Sequence, residues 1–312
     1  MEVVGPATDV AGEHALTDFT IVICTRDRPE HVLATLDALS TQSDRRHPVL
    51  VIDQSDTVDD RLRERAATDP LLEVVHDDGR GLSRARNLAW RRLRSTWVVY
   101  LDDDCRPEGA WESALATTLA GVGSDVGFVS GHVSGEDRPA GDYLEVTAFH
   151  VDEPRLRRGR WTRPWRIGFG VCMAVRHDVI ERLGGWDERL GVGSPHGFGA
   201  GEDMDFNYRF LRSGGLALAT PTVRARHQQW RSAAELPSLY ERYLAGWSAF
   251  AVKQLRTGDR LGGIWLWLLG LQDVVRMVAS AGRRRSRLRA VVAVAKARGL
   301  ALGTARGLRF PW

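Results

Sequence analysis

The sequence predicts an α/β fold, a mostly parallel sheet flanked by helices, followed by a helical C-terminal extension. Three observations carry this expectation. Through the first 105 residues, short apolar runs alternate with segments of helical period, the pattern of βαβ units. The runs are continuous rather than alternating, as strands covered by helices on both faces require. Beyond residue 234 the pattern turns wholly helical and strongly basic.

The candidate strands of the first part are residues 19–24, 49–52, 71–75 and 97–101, all rich in β-branched or aromatic residues. Helical periodicity covers 29–40, 59–67 and 82–94. Pro29 suits a first helical turn, where its missing N–H costs nothing. Each strand ends in a polar cluster, and in open parallel sheets ligands bind beyond those ends. The second part reads as a helix at 107–119, a strand at 126–133, an irregular stretch at 134–166, a strand at 170–176 and a short helix at 177–183. A glycine-rich loop at 191–201 leads into a helix at 202–212, stopped by Gly214-Gly215, and a last strand at 216–219. Domain organisation follows: a loose leader at 1–17, a body at 18–233 whose halves meet near residue 105, and the extension at 234–312.

With 43% hydrophobic and 27% charged residues, the 312-residue chain has an ordinary globular composition. Cys24, Cys105 and Cys172 lie far apart, which argues against a disulfide scaffold and a cysteine-built metal site and suits the cytoplasm. No basic segment precedes an apolar run in the first twenty residues, so a secretory signal is not expected. The net charge of +3 conceals an asymmetry, because ten basic residues and no acidic one follow residue 273. The body is therefore acidic and a poor partner for nucleic acid. Residues 261–281 carry Trp265 and Trp267 but are interrupted by Gln272, Asp273 and Arg276. With the arginines at 283–289 behind them, they read as an amphipathic helix lying on an anionic membrane surface, peripheral on its inner face.

The sharpest chemical signal is the strand at 97–101 running into Asp102-Asp103-Asp104. Adjacent carboxylates raise one another's pKa unless a cation neutralises them. A hard divalent ion does this with one or two carboxylates, completing its shell with substrate phosphate and water. Gly201-Glu202-Asp203-Met204-Asp205 opens the helix at 202, where a carboxylate near the positive dipole end stays ionised, as a general base must. Six arginines with Trp161 and Trp165 fill 155–166, a candidate lid over an acceptor.

In order, Thr25-Arg26-Asp27, Val51-Ile52-Asp53, residues 81–87, Asp102–Asp104, Gly184-Gly185-Trp186-Asp187-Glu188, residues 201–205 and the Pro221 to His227 ending resemble glycosyltransferase family 2 enzymes of the GT-A type, a Rossmann-like fold. The resemblance runs from about residue 19 to residue 227. It implies a nucleotide-sugar half at about 18–105 and an acceptor half at about 106–233. Thr25, Arg26 and Asp53 would line the nucleoside pocket; Asp78 and Arg86 would border base and phosphates, with Asn87 holding that loop. Asp102 and Asp103 would face ribose and sugar hydroxyls. Asp104 would bind Mn²⁺ or Mg²⁺ with His227 close to the ion. Asp203 would be the base, supported by Glu202. Trp186 and Asp187, with Trp161 and Trp165, would lie on the acceptor side. The implied reaction is inverting transfer from a nucleoside-diphosphate sugar to an acceptor hydroxyl, in the making of a surface glycan or glycoconjugate; docking of residues 261–289 on anionic lipid adds a lipid-linked acceptor to the candidates. Two rival readings are a nucleotidyltransferase releasing pyrophosphate and a non-enzymatic membrane-binding protein. The first has no need of a base at Asp203, and the second leaves the acidic strand ends unexplained.

Overall fold

The computed structural model describes residues 18–42, 46–136, 143–229 and 231–312, so the expected leader lies outside the described residues. The first half follows the sequence closely. Strands β1 (Phe19–Thr25), β2 (Val49–Asp53), β3 (Leu72–His76) and β4 (Trp97–Leu101) alternate with helices α1 (Pro29–Ser40), α2 (Asp60–Thr68) and α3 (Leu82–Arg92). β2, β1 and β4 stand in the middle of the sheet, and β1 and β4 are buried along nearly their whole length. All pairs among these four strands are parallel, because each connection is long enough to carry a helix back across the sheet.

The second half adds the antiparallel pairings of the sheet. β5 (Cys105–Pro107), α4 (Trp111–Gly121), β6 (Val126–Glu136), β7 (Arg155–Arg158), β8 (Cys172–Arg176), α5 (His177–Leu183), α6 (Glu202–Arg212) and β9 (Leu216–Gln228) complete a nine-stranded sheet of order β3-β2-β1-β4-β8-β6-β9-β5, with β7 also on β9. β8 runs antiparallel to both β4 and β6, since no crossover helix intervenes between β6 and β8. The helix expected from 107 begins at Trp111, and its predicted first residue belongs to β5. Pro107 tolerates this because β5 is the edge strand, where a missing N–H breaks no ladder. β9 likewise passes Pro221, which sequence alone reads as a stop. The register against β6 jumps there from Ser130↔Ala219 to His132↔Arg224, so the bulge absorbs the proline. This extension matters, because it carries His227 to the end of β4 by pairing it with Cys105.

Residues 155–166, expected to be irregular, hold β7 and a single 3-10 turn at Pro164–Ile167. Helices α7 (Leu236–Arg256), α8 (Arg260–Arg284) and α9 (Arg287–Arg309) then pack on the body. α9 closes on α7 through glycines at every fourth position. A Cβ on Gly299 would lie 2.2 Å from the Glu241 carbonyl oxygen, and one on Gly303 2.0 Å from that of Ala245. The tryptophans of α8 face inward: Trp265 meets Tyr208 and Trp161 edge-on or tilted, and Trp267 donates Nε1–H to Thr304 Oγ1 at 2.9 Å. Much of what α8 leaves outward is aliphatic. Leu261, Ile264, Leu268, Leu271, Val275 and Val278 recur at spacings of three and four and are exposed, from 38% at Leu271 to 70% at Leu261.

Candidate active site

Two cavities, each of about 520 Å³, open at the C-terminal ends of β1 and β4 and meet at Asp102. Leu82, Thr147, Val192 and Tyr243 line both, so they form one cleft with two lobes. Its roof is the glycine-rich loop. Leu82 N–H donates to the Val192 carbonyl and Ser83 Oγ to that of Leu190, which fastens the loop to the start of α3. Gly81, at φ 118°, a backbone region that favours glycine, lies against Gly193, where a Cβ on Gly193 would come within 3.3 Å of the Gly81 backbone.

The first lobe holds Thr25, Arg26, Arg28, Asp103, Asp104 and His227. Asp103 is fully buried; it accepts from Thr25 Oγ1 at 2.7 Å and pairs with Arg28 Nη2 at 2.6 Å, so it fixes the turn after β1 rather than presenting a free oxygen to a ribose. Arg28 also reaches Asp104 at 3.2 Å. Sequence reading missed Arg28, although it directly follows the Thr25-Arg26-Asp27 cluster. Asp104 Oδ1 lies 3.4 Å from His227 Nε2. The state of that ring follows from hydrogen-bond arithmetic. Gln229 accepts from the Val146 N–H and donates to the Val146 carbonyl, which fixes its amide; its remaining N–H points at His227 Nδ1 at 2.9 Å. Nδ1 is therefore the acceptor and Nε2 carries the proton. Burial lowers the basicity of the ring. In this arrangement His227 is a donor turned toward Asp104, beside the carboxylate expected to hold the ion. Among the described residues no cluster of three or more His, Cys, Asp or Glu forms a protein-only metal cage. The donor set fits a hard ion that takes one carboxylate, Asp104, and fills its shell with phosphate and water.

Asp53 is buried and accepts from Ser55 N–H and Oγ; it lines a smaller side cavity that shares Thr25 and Asp27 with the first lobe. Asp78 projects into solvent and borders neither lobe, a second correction. Asp77 holds the inward position instead. The Arg84 guanidinium holds its carboxyl down to about 2, and it accepts from Gln54, whose side-chain oxygen in turn receives the Gly81 N–H. Asp77 lines neither lobe, so it braces the Gln54 and Gly81 contact rather than taking the role expected of Asp78.

The second lobe holds Arg86, Glu202, Asp203 and Trp165. Arg86 is buried beneath the floor, 2.5 Å from Asp203 and 3.7 Å from Asp102, with Gly170 leaving the room its guanidinium needs. It therefore serves the second lobe, not the base and phosphates of the first. Gly170 N–H donates to the other Asp203 oxygen at 3.1 Å, so the carboxylate is aimed from two sides. Burial pushes the Asp102 carboxyl up; Arg86 opposes this, while Asp104 and Asp203 add to it. Burial likewise raises Glu202, and its Oε2 has no hydrogen-bond partner among the described residues.

Trp186 and Asp187 turn out to be scaffold, and Asn87 holds a loop as expected, that of Trp186. Asn87 receives the Trp186 N–H and donates to the Trp186 carbonyl and Glu188, clamping that loop to α3. Trp186 is buried, stacked on Phe206 at 4.3 Å. Asp187 shares Lys253 with Asp205 at 2.7 and 2.6 Å, and although burial opposes ionisation, Arg189 and Lys253 hold its carboxyl below the usual range. Trp161, 53% exposed, lies outside both lobes, so only Trp165 of the expected lid faces the cleft. In exchange, α7, α8 and α9 contribute Tyr240, Tyr243, Trp247, Asp273, Arg276 and Lys296 to the second lobe. No motif announced them, since they meet only when three helices pack.

The parallel βαβ half, the carboxylates at the end of β4 and a second lobe built around the start of α6 define a glycosyltransferase of the GT-A fold. The chain belongs to glycosyl transferase family 2, whose family model matches residues 20–184. It is 25% identical over 232 residues to the O-antigen biosynthesis protein RfbC of Myxococcus xanthus, a match that spans 67% of this chain and 17% of that protein. Its fold is similar to the mannosyltransferase PcManGT of Pyrobaculum calidifontis, solved with GDP-Man and Mn²⁺, at TM-score 0.60 and 19% identity over 97% of this chain and 90% of that one. It is also similar to S. aureus TarS 1-349 with UDP-GlcNAc, at TM-score 0.57 and 14% identity over 80% and 70% of the two chains.

Proposed function

We propose that this glycosyltransferase inverts the anomeric centre and depends on a divalent ion, with the first lobe holding a nucleoside-diphosphate sugar and the second an acceptor hydroxyl. One observation carries the reading: Asp104 and Asp203 stand in adjoining lobes on either side of Asp102. A divalent ion on Asp104 would offset charge on the departing diphosphate. Asp203, aimed by its pairing with Arg86, takes the acceptor proton as the new bond forms. Asp102, at the junction, faces the sugar in transit. A single base opposite the leaving group supports one displacement, hence inversion. Mn²⁺-bound and nucleotide-sugar-bound neighbours support the donor assignment. Incubation with GDP-mannose and UDP-GlcNAc in Mn²⁺ is expected to release nucleoside diphosphate and a sugar of inverted configuration by NMR. Release of pyrophosphate, or a product of retained configuration, would overturn it.

We further propose a cytoplasmic protein docked on the inner membrane face, serving surface-glycan assembly. The outward aliphatic stripe of α8 and the arginines at its C-terminal end support this, by apolar insertion and charge complementarity to anionic lipid. α8 is long and apolar enough to span a bilayer, but a third of its apolar window is buried against the protein, which favours lying flat. Each Lys or Arg near such a surface contributes roughly 1 kcal/mol. Co-sedimentation with anionic vesicles is expected, weakening as salt rises and falling when Arg283, Arg284, Arg285, Arg287 and Arg289 become Gln. Protein that stays in the supernatant at low salt would point to a soluble acceptor.

A further inference from the structure

We propose that Arg276 and Lys296 form an anion subsite in the second lobe, so that the acceptor carries a phosphate beside the hydroxyl it presents to Asp203. This rests on reading that lobe as the acceptor lobe. Arg276 lines the cavity and makes no hydrogen bond or ion pair among the described residues. An arginine that borders a cleft with its five donors free is a recognition group in waiting. Lys296 is buried in the same wall, fixed by Asp273 at 2.9 Å and by the face of Tyr240 at 4.6 Å. Asp273 lies one helical turn from Arg276 on α8, so the single carboxylate serves Lys296 and the group as a whole keeps one uncompensated positive charge. Arg86, the remaining cation of the lobe, is paired with Asp203 and Asp102 beside Glu202, so that end of the lobe is acidic and the positive charge is confined to the Arg276 end.

The chemistry of the wall narrows the ligand. A guanidinium fork and an ammonium point charge together suit a tetrahedral phosphate. Trp165, Trp247, Tyr240 and Tyr243 line the same lobe and supply flat faces for a sugar ring or alkyl segment next to it. The route out is also marked. At about 100° per residue, Arg276 falls between the cavity-lining positions 269, 270 and 273 and the outward stripe of Leu268, Leu271 and Val275. A phosphate held at Arg276 therefore sits at the border between the polar cleft and an exposed aliphatic surface, where the head of an alkyl phosphate would be placed. Free phosphate shares the head chemistry but leaves the stripe unused.

The experiment titrates octyl phosphate, inorganic phosphate and uncharged octyl glucoside into the full chain, with Mn²⁺, UDP and GDP present to occupy the first lobe. Tryptophan fluorescence reports binding, because Trp165 and Trp247 line the second lobe. Octyl phosphate is expected to bind at least about tenfold more tightly than octyl glucoside, and Arg276→Gln to remove most of that advantage while leaving octyl glucoside unchanged, as loss of a charge-assisted bond implies. Arg276 is exposed, so the variant folds; Arg276→Lys should recover part of the difference. Octyl phosphate binding well ahead of inorganic phosphate assigns the subsite to a lipid-type acceptor, and equal affinities assign it to a soluble phosphate. Equal octyl phosphate affinity in wild type and Arg276→Gln overturns the subsite. Nucleoside diphosphate binding is read separately by thermal shift: if neither UDP nor GDP binds, the donor reading fails, and the same titrations on the unliganded protein still judge Arg276.

Discussion

Asp203→Asn is expected to keep nucleoside diphosphate binding and to lower transfer by about 10²–10⁴-fold, the usual worth of a general base. Amide and carboxylate have nearly the same shape, but only the carboxylate takes the acceptor's proton. The structure adds a second consequence. Asp203 is the nearer of two counter-ions to buried Arg86, and the Gly170 N–H also leans on it. The variant leaves Arg86 with Asp102 alone, so a lower melting temperature should accompany the lost turnover. Kinetics of donor consumption separate the two effects, because a fold defect scales the amount of active protein and leaves the rate per active molecule intact. Near-normal turnover would move the base elsewhere, with Glu202 the first alternative because it lines the same lobe with an unpartnered oxygen.

Asp104→Asn is expected to weaken Mn²⁺-dependent binding of nucleoside diphosphate by about 100-fold or more, since even outer-sphere partners of a bound metal are typically worth 10–100-fold. Calorimetric titration with and without chelator reads this directly. His227→Ala should cost less, because the Gln229 amide leaves the His227 Nε2 protonated and limits the ring to orienting Asp104. If the wild type binds its diphosphate equally well in excess chelator, Asp104 holds no ion. If His227→Ala proves as damaging as Asp104→Asn, the ring has given up that proton and coordinates the metal.

The order of strands and helices up to residue 105 was legible in the sequence because each element there is set by local signals: an apolar run, a helical period, a polar cluster at each strand end. The same locality exposed Asp104, Glu202 and Asp203, whose neighbours in the chain are also their neighbours in the cleft. Asp78 and Asp77 show the limit, since adjacent acids are equivalent on paper and only the Arg84 and Gln54 contacts decide which turns inward. Trp186 and Asp187 show another: a tryptophan or a carboxylate after a glycine pair reads as a ligand contact until Phe206 and Lys253 arrive to bury it. The wall of the second lobe was beyond any such reading. Tyr240, Trp247, Arg276 and Lys296 come from three helices that the sequence presents as a basic tail, and their convergence depends on glycines of α9 letting it close against α7. Local chemistry can be read from one segment at a time. Which side chains share a cavity is set by packing between segments distant in the chain, and in this protein that packing shaped the wall of the second lobe.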